Sequence, residues 1–225
     1  MAEQVVLAVD VGGSHVKVLL SSGGERRRFD SGPALTAQQM VDGVKGVTGD
    51  WAYDVVSVGV PAPVHDDRVV SEPANLGGGW FDFDFEQAFG VPTKVLNDAA
   101  MQALGSYDGG KMLFLGLGTG LGSALVVDSK VEPLELAHLP FRKATFEDYV
   151  GEAARERLGK KKWREAVAET VERLTAAVQP DYVVLGGGNA KKLGELPPNA
   201  RLGANENAFL GGFRLWDPSR SSLAS

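Results

Sequence analysis

Cysteine is absent from the 225 residues. That excludes disulfides and thiolate-ligated metal, and it is compatible with a reducing compartment. No apolar run approaches the roughly 18 residues that a membrane span needs, and Met1-Ala2-Glu3-Gln4 is not the basic start of a secretion signal. Positive charge is in deficit. Twenty-three Lys and Arg stand against 29 Asp and Glu, a net charge of −6, which argues against a general nucleic-acid or membrane-surface binder. A cytoplasmic protein is expected. Its length suits one domain of two lobes or two small domains sharing a cleft.

Glycine, by contrast, is abundant, with 29 residues that fall in clusters. The central one is Gly116-Leu117-Gly118-Thr119-Gly120-Leu121-Gly122, between the apolar runs 113–115 and 124–127. Glycine admits positive φ and lets backbone amides approach an anion without a Cβ in the way. The stretch therefore reads as a phosphate-cradling turn or as a tight hairpin turn. It does not fit the dinucleotide fingerprint G-x-G-x-x-G, and a strand follows where that motif opens a helix. Gly105 to Met112 nearly matches a P-loop, but Met112 stands where Ser or Thr would hold magnesium.

Read in order, the chain alternates strands and helices. The run 5–9 is a buried strand, followed by Asp10-Val11-Gly12-Gly13-Ser14 and a second strand from His15 to Leu20. That is the strand, glycine turn and strand of the central stretch, so the sequence repeats one hairpin in each half. Residues 26–29 form a third strand and 37–47 a helix capped by Thr36. Strands follow at 55–60 and 93–96, with a loop through Asn75 and Trp80 between them. Residues 81–85 alternate like a strand, yet Asp82 or Asp84 equally suits the cap of a helix over 85–89. A helix is expected over 99–107. Asn97 and Asp98 then sit at the carboxyl end of a strand, where α/β proteins bind ligands. Helices are expected at 147–158, 163–178 and 207–215, the last weakened by Gly211 and Gly212, and a strand at 181–185 that ends in Gly186-Gly187-Gly188-Asn189. The serine-rich end beyond Asp217-Pro218 reads as frayed.

Two motifs, Asp10-x-Gly12-Gly13-Ser14-x-x-Lys17 and Gly116-x-Gly118-Thr119-Gly120-x-Gly122, resemble the paired phosphate loops of the superfamily of sugar kinases, actin and heat-shock chaperones. More narrowly, residues 5–215 resemble the ROK sugar kinases and their polyphosphate glucokinase branch. Further matches are 58–64, Asn75-Leu76 with Trp80, Val95-Leu96-Asn97-Asp98-Ala99, Glu135-Leu136-Ala137-His138, Phe146-Glu147-Asp148-Tyr149 and 184–188. The resemblance implies an α/β, actin-like ATPase (ribonuclease H-like) fold with two similar lobes around a cleft, divided as 1–98 and 99–225.

The resemblance also implies a kinase that phosphorylates the 6-hydroxyl of glucose, with ATP or polyphosphate as donor. Asp98 would be the base, although an Asp there equally suits a helix N-cap. Asn75, Asn97, Glu135, His138 and Glu147 would bind the sugar. Ala137 replaces the glycine usual before the histidine, which makes that loop's geometry an open point. Gly12, Gly13, Ser14, Lys17, Gly118, Thr119 and Gly120 would hold donor phosphates, and Gly187 and Gly188 would lie on the nucleotide side. Asp10 would order Mg²⁺ through water.

The cysteine-rich zinc loop of many ROK kinases has no counterpart, so no structural zinc is expected. A homodimer is implied, without nucleic acid or membrane as partner. The runs Lys160-Lys161-Lys162 and Lys191-Lys192 suit either a solvated face or a guide for a long polyanion. Alternative readings are a ROK kinase for another hexose, such as an N-acetylhexosamine, and a catalytically weak regulatory protein.

Overall fold

Two five-stranded sheets with the same strand order organise the chain. The computed structural model describes residues 4–204 and 206–217. The described residues fall into two units, one running up to Met101 and resuming at Ala208, the other Gln102–Asn207.

In the first unit β1 (Val6–Val11) and β2 (His15–Leu20) form the first glycine hairpin, and β3 (Arg27–Asp30) extends it. Helix α1 (Ala37–Val47) starts at Thr36, whose hydroxyl accepts from Gln39 N–H while the Gln39 side chain accepts from Thr36 N–H. This reciprocal cap satisfies two of the donors that a helix start leaves open. Strand β4 (Val55–Val60) runs parallel to β1. A small hairpin, β5 (Val64–His65) and β6 (Arg68–Val69), turns through Asp66 and Asp67, both at positive φ. Residues 81–85 resolve as the approach to α2 (Phe85–Phe89), with Asp84 accepting from Gln87 N–H as its cap. Strand β7 (Thr93–Asn97) pairs parallel to β4 and leads directly into α3 (Asp98–Ser106). The order β3-β2-β1-β4-β7 buries Val9, Val18, Val58, Met40 and Trp80 in one core.

The second unit repeats the pattern. Strands β8 (Lys111–Leu117) and β9 (Leu121–Val127) form the central hairpin, and β10 (Lys130–Leu134) extends it. The short pair β11 (Pro140–Phe141) and β12 (Ala144–Thr145) precedes α4 (Glu147–Val150) and α5 (Glu152–Val178). Two separate helices were expected here, broken around residues 159–162. The break falls at Gly159, where φ 76° and ψ 162° leave helical geometry and kink α5 into two helical stretches, and Gly151, at φ −68° and ψ 173°, separates α4 from it. Strands β13 (Tyr182–Gly186) and β14 (Ala200–Leu202) run parallel to β8 and complete the order β10-β9-β8-β13-β14. Trp163, Val167, Val171 and Leu174 bring one stripe of α5 into this core, the 3–4 spacing of an amphipathic helix. The P-loop-like stretch is the turn between α3 and β8, with Gly109 and Gly110 at positive φ.

The expected boundary at residue 98 needs correction at the far end of the chain. Helix α6 (Asn207–Arg214) belongs to the first unit from Ala208 onward. Gly211 and Gly212 lie within it, buried where it meets the sheet. A Cβ on Gly212 would fall 2.9 Å from Ala8 Cβ and 3.2 Å from Ser57 Cβ, so only glycine permits this approach. Ser57, fully buried on β4, donates to Gly212 O at 2.7 Å and accepts from Trp216 Nε1 at 2.9 Å. Lys94 Nζ donates to Leu215 O and lies over the Trp216 ring. Ser57→Ala should leave a buried carbonyl and an indole N–H without their partner and cost about 1–3 kcal/mol. Urea denaturation would measure it; a loss under about 0.5 kcal/mol would show that the hydroxyl does not hold α6. The expected frayed end after Asp217 lies outside the described residues.

Candidate functional site

The residues singled out in the sequence fall into two sets, one in each unit. In the first, Asp10 is the penultimate residue of β1 and Lys17 stands opposite it on β2. Lys17 Nζ donates to Asp10 Oδ2 at 3.1 Å, so the lysine partly neutralises the carboxylate. At the hairpin tip, Gly12 N–H donates to His15 O. The Gly12 carbonyl accepts from Ser31 Oγ at 2.5 Å and the Ser14 carbonyl from Ser31 N–H at 3.0 Å. Ser31 thus occupies the acceptors of the tip. The Gly13 and Ser14 amides face no protein acceptor among the described residues. Asn75 is exposed beside this tip, its Cβ 3.9 Å from where a Cβ on Gly13 would be. Glu72 shapes its loop by accepting from the backbone N–H groups of Gly79, Trp80 and Phe81, led in effect by Trp80. These bonds hold the Glu72 carboxyl below the usual carboxylate range.

The helix cap that the sequence allowed for Asp98 falls to its neighbour. Asn97, not Asp98, caps α3: its Oδ1 accepts from Ala99 N–H at 3.1 Å and Ala100 N–H at 3.2 Å. Its Nδ2 donates to Ala62 O at 3.2 Å. Both ends of the amide are thus committed to the protein, which leaves Asn97 one free N–H. Asp98 is the first residue of α3 and accepts from Ala99 N–H at 2.8 Å. Withdrawal from water pushes its carboxyl up to about 7, the negative charge of Asp10 adds to the rise, and the Ala99 bond opposes it. A half-buried carboxyl that titrates near neutrality can take up a proton at physiological pH.

In the second unit the hairpin tip 118–120 repeats the logic of the first. The Gly118 carbonyl accepts from Glu152 N–H at 3.0 Å and Asn189 Nδ2 at 3.1 Å, and the Thr119 carbonyl from Glu152 N–H at 3.2 Å. Gly118 N–H is turned inward onto Gly120 O. The Thr119 and Gly120 amides have no protein acceptor among the described residues. With carbonyls occupied and amides free, the tip is a concentration of positive dipole ends, as anion-binding nests are.

Glu147 lies over the same tip. Its Oε2 accepts from Leu121 N–H at 3.1 Å, and a Cβ on Gly120 would collide with that oxygen. Glu147 N–H donates to Ala137 O, which ties it to the Glu135–His138 segment. Glu135 and His138 are both exposed, 3.8 Å apart between Oε1 and Nε2. Ala137 keeps φ out of the left-handed region and is buried in the core, so its backbone does not require the glycine usual there. Gly187 does need to be glycine, with φ +80° and the Leu117 backbone where a Cβ would be; Gly188 stands in open space.

A cavity of about 350 Å³ adjoins the tip, lined by Thr119, Glu147, Asp148, Tyr149, Gly151 and Arg157 among others. A larger one of about 600 Å³, lined by Asp66, Arg68, Gln87 and Thr93 among others at the outer edge of β7, contains none of the expected site residues. Among the described residues no three His, Asp or Glu gather as a metal cage. Asp10, with only Oδ2 engaged by a protein group among the described residues, suits an ion that keeps its waters and shares phosphate oxygens, as Mg²⁺ does.

The ROK family model matches residues 6–133, more than half of the chain. The chain belongs to the ROK family. A polyphosphate glucokinase of Mycobacterium tuberculosis (strain H37Ra) is 26% identical over 215 residues, covering 84% of this chain and 80% of that protein. The inorganic polyphosphate/ATP-glucomannokinase of Arthrobacter sp. strain KM superposes with a TM-score of 0.78 at 26% identity, over 93% of this chain and 96% of that one. A ROK family glucokinase of Streptomyces griseus, solved with glucose and AMPPNP, gives 0.69 at 18% identity over 92% and 97%. The fold is therefore the actin-like α/β fold of the ROK sugar kinases.

Within this ROK chain, sequence reading missed the residues that brace the two tips: Ser31, Glu152 and Asn189. Asn189 carried a signal, since it directly follows Gly186-Gly187-Gly188, and a buried asparagine there must find partners. Ser31 and Glu152 carried none. Glu152 acts through its backbone amide on the tip carbonyls, which no side-chain pattern reveals.

Proposed function

We propose that this ROK protein transfers a phosphoryl group from polyphosphate or ATP to the 6-hydroxyl of glucose. The observation that carries the reading is Asp98: relieved of capping by Asn97, it is a carboxyl titrating at about 7 directly after the carboxyl end of β7. As the base it accepts the hydroxyl proton while the oxygen attacks the terminal phosphorus. The P–O bond to the remaining donor breaks as the new one forms.

Asn75, Glu135, His138 and Glu147 bind the sugar hydroxyls, with Asn97 contributing at most its one free N–H. The free amides of Gly13, Ser14, Thr119 and Gly120 hold donor phosphates, with the Ser14 hydroxyl and Lys17 beside the first tip and Gly118 at the second. Gly188 leaves space for the donor, and Gly187 shapes the turn. Mg²⁺, held through water by Asp10, would neutralise charge on the donor phosphates. The polyphosphate and glucose specificities named for the M. tuberculosis and Arthrobacter relatives support this choice of donor and acceptor. The enzyme works as a homodimer in this reading.

The direct test is hexose 6-phosphate formation from glucose with polyphosphate and with ATP, alongside Gly118→Ala. A Cβ at Gly118 meets nothing within 4 Å, and its φ is not left-handed. The variant should keep its stability to about 0.5 kcal/mol. Its donor KM should rise roughly tenfold, because a methyl intrudes where phosphate approaches, about 1.4 kcal/mol. Failure to phosphorylate glucose or any other hexose would overturn the proposal; an unchanged donor KM would remove Gly118 from the phosphate site.

A further inference from the structure

The lysine runs at 160–162 and 191–192, ambiguous in sequence, both lie in the second unit, where Arg164, just past the first run, reaches the second. Arg164 on α5 donates from both Nε (3.1 Å) and Nη2 (2.7 Å) to the Lys192 carbonyl. Lys192 Nζ in turn donates to Asn189 Oδ1 at 2.7 Å, and Asn189 Nδ2 reaches the Gly118 carbonyl at the hairpin tip. An unbroken series of hydrogen bonds thus runs from the face of α5 to the donor hairpin.

That face is specified by helical spacing. Lys160 and Lys161 lie four and three residues before Arg164 and share its side of the helix, whereas Lys162 does not. All three lysines are exposed, as are Lys191 and Lys192. Among the described residues, Lys160, Lys161 and Lys191 have no ion-pair partner. Residues 152–164 hold six Lys or Arg against two Glu, in a chain whose net charge is −6. Lys160 and Arg164 repel at i,i+4, an arrangement that disfavours the helix and that folding alone does not call for. The acidic groups at this strip are Glu152, 3.9 Å from Lys192 Nζ, with Glu156, Glu165 and Glu195 nearby in sequence.

We infer that Lys160, Lys161, Arg164, Lys191 and Lys192 form a track for the distal phosphates of a long inorganic polyphosphate, continuing outward from the tip at 118–120. The inference rests on the donor reading above and narrows it to a chain longer than a triphosphate. A nucleic acid fits less well. Stacking of bases needs an aromatic platform, and the aromatic residue within the track, Trp163, is fully buried.

The test measures binding of long-chain polyphosphate and of tripolyphosphate to the full chain, without glucose, across a salt series. The variants are Lys160→Ala/Lys161→Ala and, off the track, Lys162→Ala. The double variant should lower the ratio of long-chain to tripolyphosphate affinity roughly tenfold. It should also reduce the salt slope of long-chain binding by about one to two, as loss of two phosphate contacts implies. Lys162→Ala should change the ratio less than twofold. Equal effects of both variants, or an unchanged ratio, would overturn the track. So would tighter binding of a single-stranded oligonucleotide than of polyphosphate. Glucose phosphorylation, scored separately, distinguishes the two readings: a lowered ratio in a protein that phosphorylates no hexose keeps the track and removes the kinase, and an unchanged ratio in an active enzyme does the reverse.

Discussion

Asp98→Asn is expected to reduce kcat by about 10²–10⁴, the range that a positioned general base supplies, while the protein folds. Folding survives because Asn97 caps α3 and the new amide retains an oxygen for Ala99 N–H. The pH behaviour separates this account from a purely structural one. The wild-type carboxyl titrates at about 7, so kcat/KM should rise with pH through that value as the base ionises, and the dependence should vanish with the substitution. Stability moves the opposite way. The folded pKa lies above the unfolded value of about 3.9, so the folded state binds more protons between the two. Wild-type stability therefore falls as pH rises from about 4 to 7 and levels off above. Asparagine carries no such penalty, so the variant should be the more stable above pH 7, by on the order of 1–4 kcal/mol. Near pH 4 the advantage disappears. Full turnover in the variant would exclude Asp98 as the base, and equal stability at both pH values would exclude the desolvated carboxyl.

Gly187→Ala carries the second large effect. At φ +80°, a Cβ costs about 1–2 kcal/mol from backbone strain alone. It would also fall 2.7 Å from Leu117 C and 2.8 Å from Leu117 N, and backbone cannot swing aside as a side-chain end can. Displacing β8 there adds about 1–3 kcal/mol. Leu117 precedes the hairpin tip, and its carbonyl accepts from Asn189 N–H, so the displacement reaches the tip directly. Thermal unfolding should show a loss of roughly 2–5 kcal/mol, and donor binding should weaken. Gly118→Ala, one residue past Leu117, should weaken donor binding with little change in unfolding. A stable Gly187→Ala protein would show that β8 yields at low cost.

What the sequence revealed and what it concealed follow from which interactions leave a local trace. Both hairpins, α1 with its Thr36 cap and the parallel strands β4, β7 and β13 were legible because periodicity and capping are local. The small pair β5–β6 and strand β14 were not, since two- and three-residue strands are defined by partners distant in sequence. Asn97 and Asp98 show the same limit within the site. Either residue type can cap a helix, and only the position of the α3 start decides which one does. The glycines of α6 suggested a weak helix, because propensity cannot register a neighbour that requires a missing side chain.

That close packing of α6 has a consequence for how the chain is made. The surface around Ala8, Ser57 and Met101 that receives Gly212 is synthesised within the first half of the chain, and its covering helix only near residue 208. At ribosomal rates of about 5–20 residues per second, this part of the nascent first unit waits several seconds for its last element. Its folding is then completed by a contact spanning 155 residues, Ser57 to Gly212, rather than domain by domain from the amino terminus. The second unit, Gln102–Asn207, is continuous in sequence and can assemble in the interval.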